Sequence, residues 1–327
     1  MENNIHLNVY FCFVNRPCTG GDLVNLDHIR ALRKFGVNAG ILLIRNQSDE
    51  IIESFGTLPV VLLNENIEFY PQDIFIVPEV MQELYDLANQ TTVFPRMIMH
   101  NQNPFYTGYG FLSASHINEH RLERIIVPSI YTKYKLRDIG VTKPIDVIHP
   151  YIPDYFKPAE KQREVIQIAF SRRKRADEFD IFRFYFLSLY SHRYSVNFVN
   201  IQGLTREEVA KVMSESAIFI SFAERESLGL MALEAMASGC HVVGFSGYTD
   251  MYNNEIIDDT VGDWIGEGEY KLFAQKVCQA IEDFANGKVN PKIENGLRLI
   301  DERFRADHFE QDIKRVYSNI LGYEIGQ

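Results

Sequence analysis

Several features are scarce or missing in this sequence, and each closes off a class of function. Nowhere in its 327 residues do 18 apolar residues run together, so no segment reads as a bilayer-spanning helix. Cysteine is rare. Cys12, Cys18, Cys240 and Cys278 lie at scattered spacings that fit buried thiols in a reducing cytosol, not a disulfide framework or a zinc site. Cations are outnumbered, 33 Lys and Arg against 44 Asp and Glu, and a net charge of −11 excludes the basic face of a general nucleic-acid binder. Any phosphate site must then be local. The G-x-G-x-x-G fingerprint is missing, which argues against a nicotinamide dehydrogenase, and so are the lysine and threonine of a P-loop. The apolar opening NIHLNVYFCFV lacks the basic flank and cleavage site of a signal peptide and reads as a first strand.

What is present is a soluble globular composition, 46% hydrophobic and 24% charged, long enough for two domains with separate cores. After the first strand, Gly20 and Gly21 stand at a strand-to-helix turn, where the backbone either approaches a ligand or simply turns tightly. Strand segments VNAGILLIR, LPVVLLN, DIFIVPE, RMIMHNQN and RIIVPS follow, with helical material between several of them, and imply a parallel, doubly wound α/β sheet. His100 ends the fifth of these strands, at the edge where such sheets build their sites. Asn101, Gln102, Asn103 and Tyr106 come next, neutral hydrogen-bonding groups of the kind that grip sugar hydroxyls. His116 to His120 spell HINEH, a literal match to the H-x-x-E-H zinc-peptidase pattern. That reading needs a further acidic ligand on a following helix, so a solvated helix turn is preferred. Pro150, Pro153 and Pro158 forbid a continuing helix and mark a boundary, giving domains 1–155 and 156–305 and a terminal helical segment 306–327.

The second half restarts with EVIQIAF and then carries Arg172, Arg173, Lys174 and Arg175, four cations in succession at a strand's carboxyl end. A basic run is usually a solvated face, but this position in a βα unit favours a phosphate site. SVNFVNIQG is the next strand, ending near Gly203, and TREE (Thr205 to Glu208) is a capping box that starts a helix. From Ala217 to Tyr252 the chain reads strand, polar loop, helix, strand, with Glu226 in the loop and Glu234 inside the helix among Leu and Ala. A lone carboxylate there would be costly, so something should hydrogen-bond to it. Leu228, Gly229 and Leu230 offer N–H groups at the helix start, suited to an anion. EIIDDTVGDWIGEGE reads as a loop, and a long helix is expected from about Lys292 to Leu321.

The string ESLGLMALE resembles the E-x7-E signature of retaining glycosyltransferases with the GT-B fold, family 4, and EAMASGC with VVGFSG extends the likeness. It is strong from Ile166 to Gly247, moderate from Arg124 to Pro158 and weak before that. The resemblance implies two Rossmann-like parallel-sheet domains facing a cleft, with an acceptor-binding N-terminal domain, a donor-binding C-terminal domain and a last helix that returns to the first. It implies a cytoplasmic enzyme of polysaccharide synthesis that transfers a sugar from a nucleotide diphosphate-sugar co-substrate to a glycan or lipid-linked acceptor. A lipid acceptor would add a peripheral membrane contact. Transfer would retain anomeric configuration with no metal or other cofactor, and the sequence has no D-x-D pair suited to a metal-bound donor. By the same resemblance two cations of the run hold the diphosphate, Gly203 backs the base, Glu234 takes the ribose hydroxyls and Glu226 those of the transferred sugar. Ser227, Gly247, the helix start and the turn at Gly20 and Gly21 complete the donor site, and His100 joins Glu226 as a catalytic candidate. Ser227 replaces a glycine common in the family, and Tyr248, Thr249 and Asp250 follow Gly247 where a second glycine and a glutamate are usual. A sugar-nucleotide epimerase, a phosphorylase and a non-catalytic binding module are the alternatives on the same fold. A glycosidase pair is disfavoured, because eight helical residues rise about 12 Å and glycosidase carboxyl groups stand roughly 5–10 Å apart.

Overall fold

The computed structural model describes residues 7–13, 20–45, 48–63, 68–160, 165–190, 193–247, 254–288 and 290–326. Two compact units emerge, one of residues 1–150 with 309–327 and the other of residues 151–308.

The first unit is built on seven strands: β1 (Val9–Phe13), β2 (Ala39–Leu43), β3 (Val60–Leu62), β4 (Ile74–Pro78), β5 (Arg96–His100), β6 (Arg124–Val127) and β7 (Ile145–Val147). They form a sheet in the order β3-β2-β1-β4-β5-β6-β7, and every pairing in it is parallel. β1 and β2 are buried along their whole length, as expected of strands covered on both faces. The helix Ala306–Leu321 adds Phe309, Ile313, Val316 and Tyr317 to the buried set, and the Tyr317 hydroxyl lies 3.2 Å from His28 Nδ1.

The second unit holds β8 (Gln167–Phe170), β9 (Asn197–Asn200), β10 (Ile218–Ser221), β11 (His241–Phe245) and β12 (Gly262–Ile265), all parallel, in the order β12-β11-β10-β8-β9. Strand order therefore reverses between β8 and β10, which makes their carboxyl ends the switch point of this sheet. One face of the sheet is packed with aromatic rings, among them Phe170 and Phe179 stacked at 3.7 Å with Phe182, Phe186 and Phe273 beyond.

Two expectations fail. EIIDDTVGDWIGEGE was read as a loop, yet Gly262–Ile265 is a strand paired with β11. A four-residue edge strand that opens with glycine and aspartate carries too little pattern to be read locally, and pairing decides it. The long terminal helix is two helices, Pro291–Arg303 and Ala306–Leu321, broken at Phe304. Phe304 is fully buried and its carbonyl accepts the Ile152 N–H at 2.7 Å, so tertiary contacts end the helix where neither glycine nor proline does.

Asp263 ties β12 down. Its carboxylate meets His241 Nε2 at 2.8 Å, Lys292 Nζ at 2.9 Å and Lys276 Nζ at 3.0 Å. Burial pushes its pKa up, but the three donors outweigh burial and hold it well below the ordinary carboxylate range. A depressed folded-state pKa means that the stabilisation is complete above the unfolded value, near 4, and fades as pH falls below it. Asp263→Asn should cost about 3 kcal/mol at neutral pH, from the uncompensated cations, and flatten the loss of stability between about pH 4 and pH 2. Urea unfolding as a function of pH tests both.

Candidate functional site

The cations that leave β8 have different fates. Arg172 donates to Asp180 Oδ1 at 2.7 Å, and its guanidinium lies 5.0 Å from the centre of the Phe179 ring. Arg175 is nearly buried; it donates to Glu267 Oε2 at 2.7 Å, lies 3.8 Å from Glu224 Oε2 and sits over the Phe245 ring. Both are bound into the unit's own framework. Lys174 reaches across the switch point to Glu226 Oε1 at 2.6 Å, both side chains about one-quarter exposed. Arg173 is exposed and makes no ion pair among the described residues.

The loop that leaves β10 is shaped by its backbone. Arg225 takes φ +50, unusual for a residue with a side chain, and its N–H donates to the Gly247 carbonyl at 2.7 Å. Gly247 itself has φ +70, and a Cβ there would press on the Ala223 backbone at 3.0 Å. That contact joins the loops after β10 and β11. Gly229, at φ +82, turns the chain into the helix Leu230–Ala237, and the start of that helix leaves N–H groups without intrahelical partners. Ser227 and Leu228 are buried beside it. Gly203 has φ +84 and open space where a Cβ would be, so its glycine answers to backbone conformation. Residues 248–253 lie outside the described residues, and with them the departure at Tyr248, Thr249 and Asp250.

Glu234 is buried in the helix and finds the partner its surroundings demand: Arg206 Nε donates to Oε1 at 3.0 Å. Burial raises the Glu234 pKa and Arg206 works against that rise. The sequence showed Arg206 only as part of the capping box at Thr205, because its approach to Glu234 depends on two helices packing together.

In the first unit, β5 leads into a dense polar network. Glu79 accepts the N–H of Gln102 at 3.2 Å and of Asn103 at 3.1 Å, fixing the chain just past His100. Gln102 Nε2 donates to the Gly21 carbonyl at 2.8 Å and to Asn25 Oδ1 at 3.1 Å. Its Oε1 lies 1.8 Å from where a Gly21 Cβ would be, so Gly21 is required by this side chain. Gly20 is the first residue of the helix Gly20–Lys34, while residues 14–19 before it lie outside the described residues. Asn101 is fully buried and donates to Thr107 Oγ1 at 2.6 Å; Asn103 Oδ1 accepts from Phe105; the Tyr106 ring stacks on Tyr109. These groups hold the loop together. His100 is also fully buried, with Nδ1 2.7 Å from Asn25 Oδ1, and burial pushes its pKa down to about 3. No surface of its ring is open to a substrate in this geometry.

Two α/β units built on parallel sheets, the second with its polar loops gathered at a switch point, are the GT-B architecture. The family described as Glycosyl transferases group 1 matches residues 187–283. An alpha-1,6-glucosyltransferase of Actinobacillus pleuropneumoniae serotype 7 (strain AP76) is 84% identical over 325 residues, covering 99% of this chain and 98% of that protein. Among solved structures, Anabaena HepE in complex with UDP and glucose shares the fold at TM-score 0.68 and 13% identity, over 96% of this chain and 100% of that one. Sucrose-phosphate synthase of Thermosynechococcus elongatus does so at TM-score 0.71 and 12% identity, over 97% and 100%. The chain belongs to the group 1 glycosyltransferases and is an enzyme of sugar transfer.

Arg206→Ala should strand a buried carboxylate and lower unfolding stability by about 3 kcal/mol. Adding Glu234→Gln removes the stranded charge and should recover part of that loss. Chemical denaturation of the wild type, both single variants and the double variant measures the coupling.

Proposed function

We propose that this chain transfers a glucosyl group from a nucleoside diphosphate donor to a carbohydrate acceptor, forming an α-1,6 linkage in a bacterial surface glycan. The name of the 84% identical relative supports the sugar and the linkage. The observation that carries the donor site is the Lys174–Glu226 contact of 2.6 Å, which sets a cation, a carboxylate and the Gly229 helix start around one switch point.

Each part of a sugar nucleotide has a partner of suitable chemistry there. Lys174, Arg173 and the N–H groups of Leu228, Gly229 and Leu230 take the diphosphate, which leaves Arg172 and Arg175 to the framework. Glu234, its free rotation checked by Arg206, takes the ribose hydroxyls, with Gly203 against the base. Glu226 binds hydroxyls of the sugar and exchanges its bond to Lys174 for them as the diphosphate arrives. The bond from the anomeric carbon to the phosphate oxygen breaks, and the bond to the acceptor oxygen forms on the same face. The departing phosphate oxygen takes the acceptor's proton, so configuration is retained. In this scheme Lys174, Arg173 and the helix N–H groups stabilise the charge of the leaving group, and the transfer needs no metal ion. His100 becomes a positioning residue that holds Asn25 and the loop of Asn101, Gln102, Asn103 and Tyr106, and that loop presents the acceptor.

No helix of the described residues is long and apolar enough to cross a membrane. The enzyme works in the cytoplasm, and a lipid-linked acceptor would bring it to the membrane's inner face.

Lys174→Ala should weaken a bound nucleoside diphosphate about 10- to 100-fold while sparing the nucleoside, as expected for loss of a charge-assisted bond. Glu226→Ala should lower transfer far more than nucleotide affinity. Calorimetry with uridine, guanosine, adenosine and thymidine diphosphates, followed by turnover with the matching glucose donors, separates the two effects. Equal loss of nucleoside and nucleotide in Lys174→Ala would refute the diphosphate role. An inverted first-formed product anomer, seen by nuclear magnetic resonance, would refute retention.

A further inference from the structure

The HINEH segment acquires in the fold what it lacked in the sequence, an acidic neighbour. His116 belongs to the helix Ala114–Glu119, His120 follows that helix directly, and Asp86 comes from the earlier helix Gln82–Gln90. A ring nitrogen of each histidine and a carboxylate oxygen of Asp86 all lie within 4.8 Å of one another. The peptidase reading of the motif fails here, because His120 has left the helix for extended backbone at φ −68, ψ 154 and the third group precedes the motif.

We propose that Asp86, His116 and His120 form a site for a divalent d-block cation of the zinc type, with water completing the coordination. His120 carries the argument. It is about 96% buried between the rings of Tyr85 and Phe111, and its Nδ1 donates to the His116 carbonyl at 2.6 Å. That bond fixes the tautomer and leaves a lone pair on Nε2, the arrangement in which a backbone carbonyl orients a metal-binding imidazole. Nε2 is buried without a hydrogen-bond partner and faces Asp86 Oδ1 at 3.5 Å. Two electron-rich atoms at that distance repel unless a proton or a cation lies between them. The second histidine favours the cation: the His116 ring stands 4.3 Å from the His120 ring, edge to face. Its Nδ1 accepts only a long 3.3 Å bond from Leu112, whose exposed N–H water can satisfy instead.

Two imidazoles and one carboxylate suit zinc and its neighbours better than magnesium or calcium, which prefer all-oxygen sets. Ligand bonds of about 2.0–2.2 Å require the three groups to draw together, and the partly exposed Asp86 and His116 have room to do so. The opposing charge is Lys143, whose ammonium is held on the His120 carbonyl at 2.9 Å. The bound ion would join the helix Gln82–Gln90 to the segment that follows the polar loop after β5. Its role is to stiffen that segment, and it takes no part in the transfer step.

Full-length protein stripped of metal is titrated with Zn2+ by calorimetry and with Co2+ by visible absorption. One site per chain is expected, with Co2+ bands that lack thiolate charge transfer, and stoichiometric Zn2+ should raise the melting temperature. Asp86→Asn and His116→Ala, both at partly exposed positions that the fold tolerates, should each weaken binding at least about 10-fold and abolish that rise. Nucleoside diphosphate binding, measured on the same variants, reports that they are folded. Zn2+ affinity equal in wild type and variants would overturn the site, as would thiolate bands with Co2+. So would the absence of binding, which would leave Asp86 and His120 as a plain ion pair.

Discussion

The reversal of strand order between β8 and β10 is the constraint on which the polar loops of the second unit rest. Helices that leave adjacent parallel strands on the same side of a reversal pack against one another and close the sheet edge. At the reversal they diverge, and the two loops are left facing a gap with backbone N–H groups, glycines and side chains directed into it. The segment Ser171–Arg175 and the segment Phe222–Gly229 are those loops. Lys174 and Glu226 meet across them at 2.6 Å. Arg225, Gly229 and Gly247, all at positive φ, make the sharp turns of the loops after β10 and β11.

Within this frame, charge is partitioned by burial. Four consecutive cations in a protein of net charge −11 look interchangeable as a string. Their neighbours make them different. Arg175 lies among Glu178, Glu224 and Glu267, and burial of a guanidinium is tolerable only with such partners. Arg172 stacks on Phe179 and bonds Asp180, a use of the planar guanidinium that a lysine could not reproduce. A lysine stands instead at the position that pairs with Glu226 at 2.6 Å. A point charge on a flexible stem can change partners at small geometric cost.

How much of this was legible depends on whether the signal was local. Of the twelve strands among the described residues, ten announce themselves as apolar runs, and the capping box at Thr205 and the turn at Gly229 are written in adjacent residues. β12 and the break at Phe304 are not, since pairing with β11 and a hydrogen bond from Ile152 create them. The same division runs through the site. That Glu234 needed a partner followed from its apolar surroundings, but that the partner was Arg206 followed only from the packing of two helices. In the first unit the polar residues after β5 were recognisable as a cluster, while their mutual satisfaction through Glu79, Asn25 and Gly21 was not, because those partners are distant in sequence.

His100 shows how a group at a strand's carboxyl end can be bound into its own unit. Its ring lies 4.9 Å from that of His28, and both are wholly buried. Burial lowers both pKa values, and each imidazole would have to gain its proton beside the other. Both shifts favour the neutral imidazole, and Asn25 Oδ1 accepts the proton that His100 carries on Nδ1. An imidazole buried and bonded in this way holds Asn25 in place. Asn25 in turn receives Gln102, and Gln102 grips the first turn of the helix that follows β1. The histidine thus acts on the loop through two other side chains, and its burial adds to the rigidity it confers.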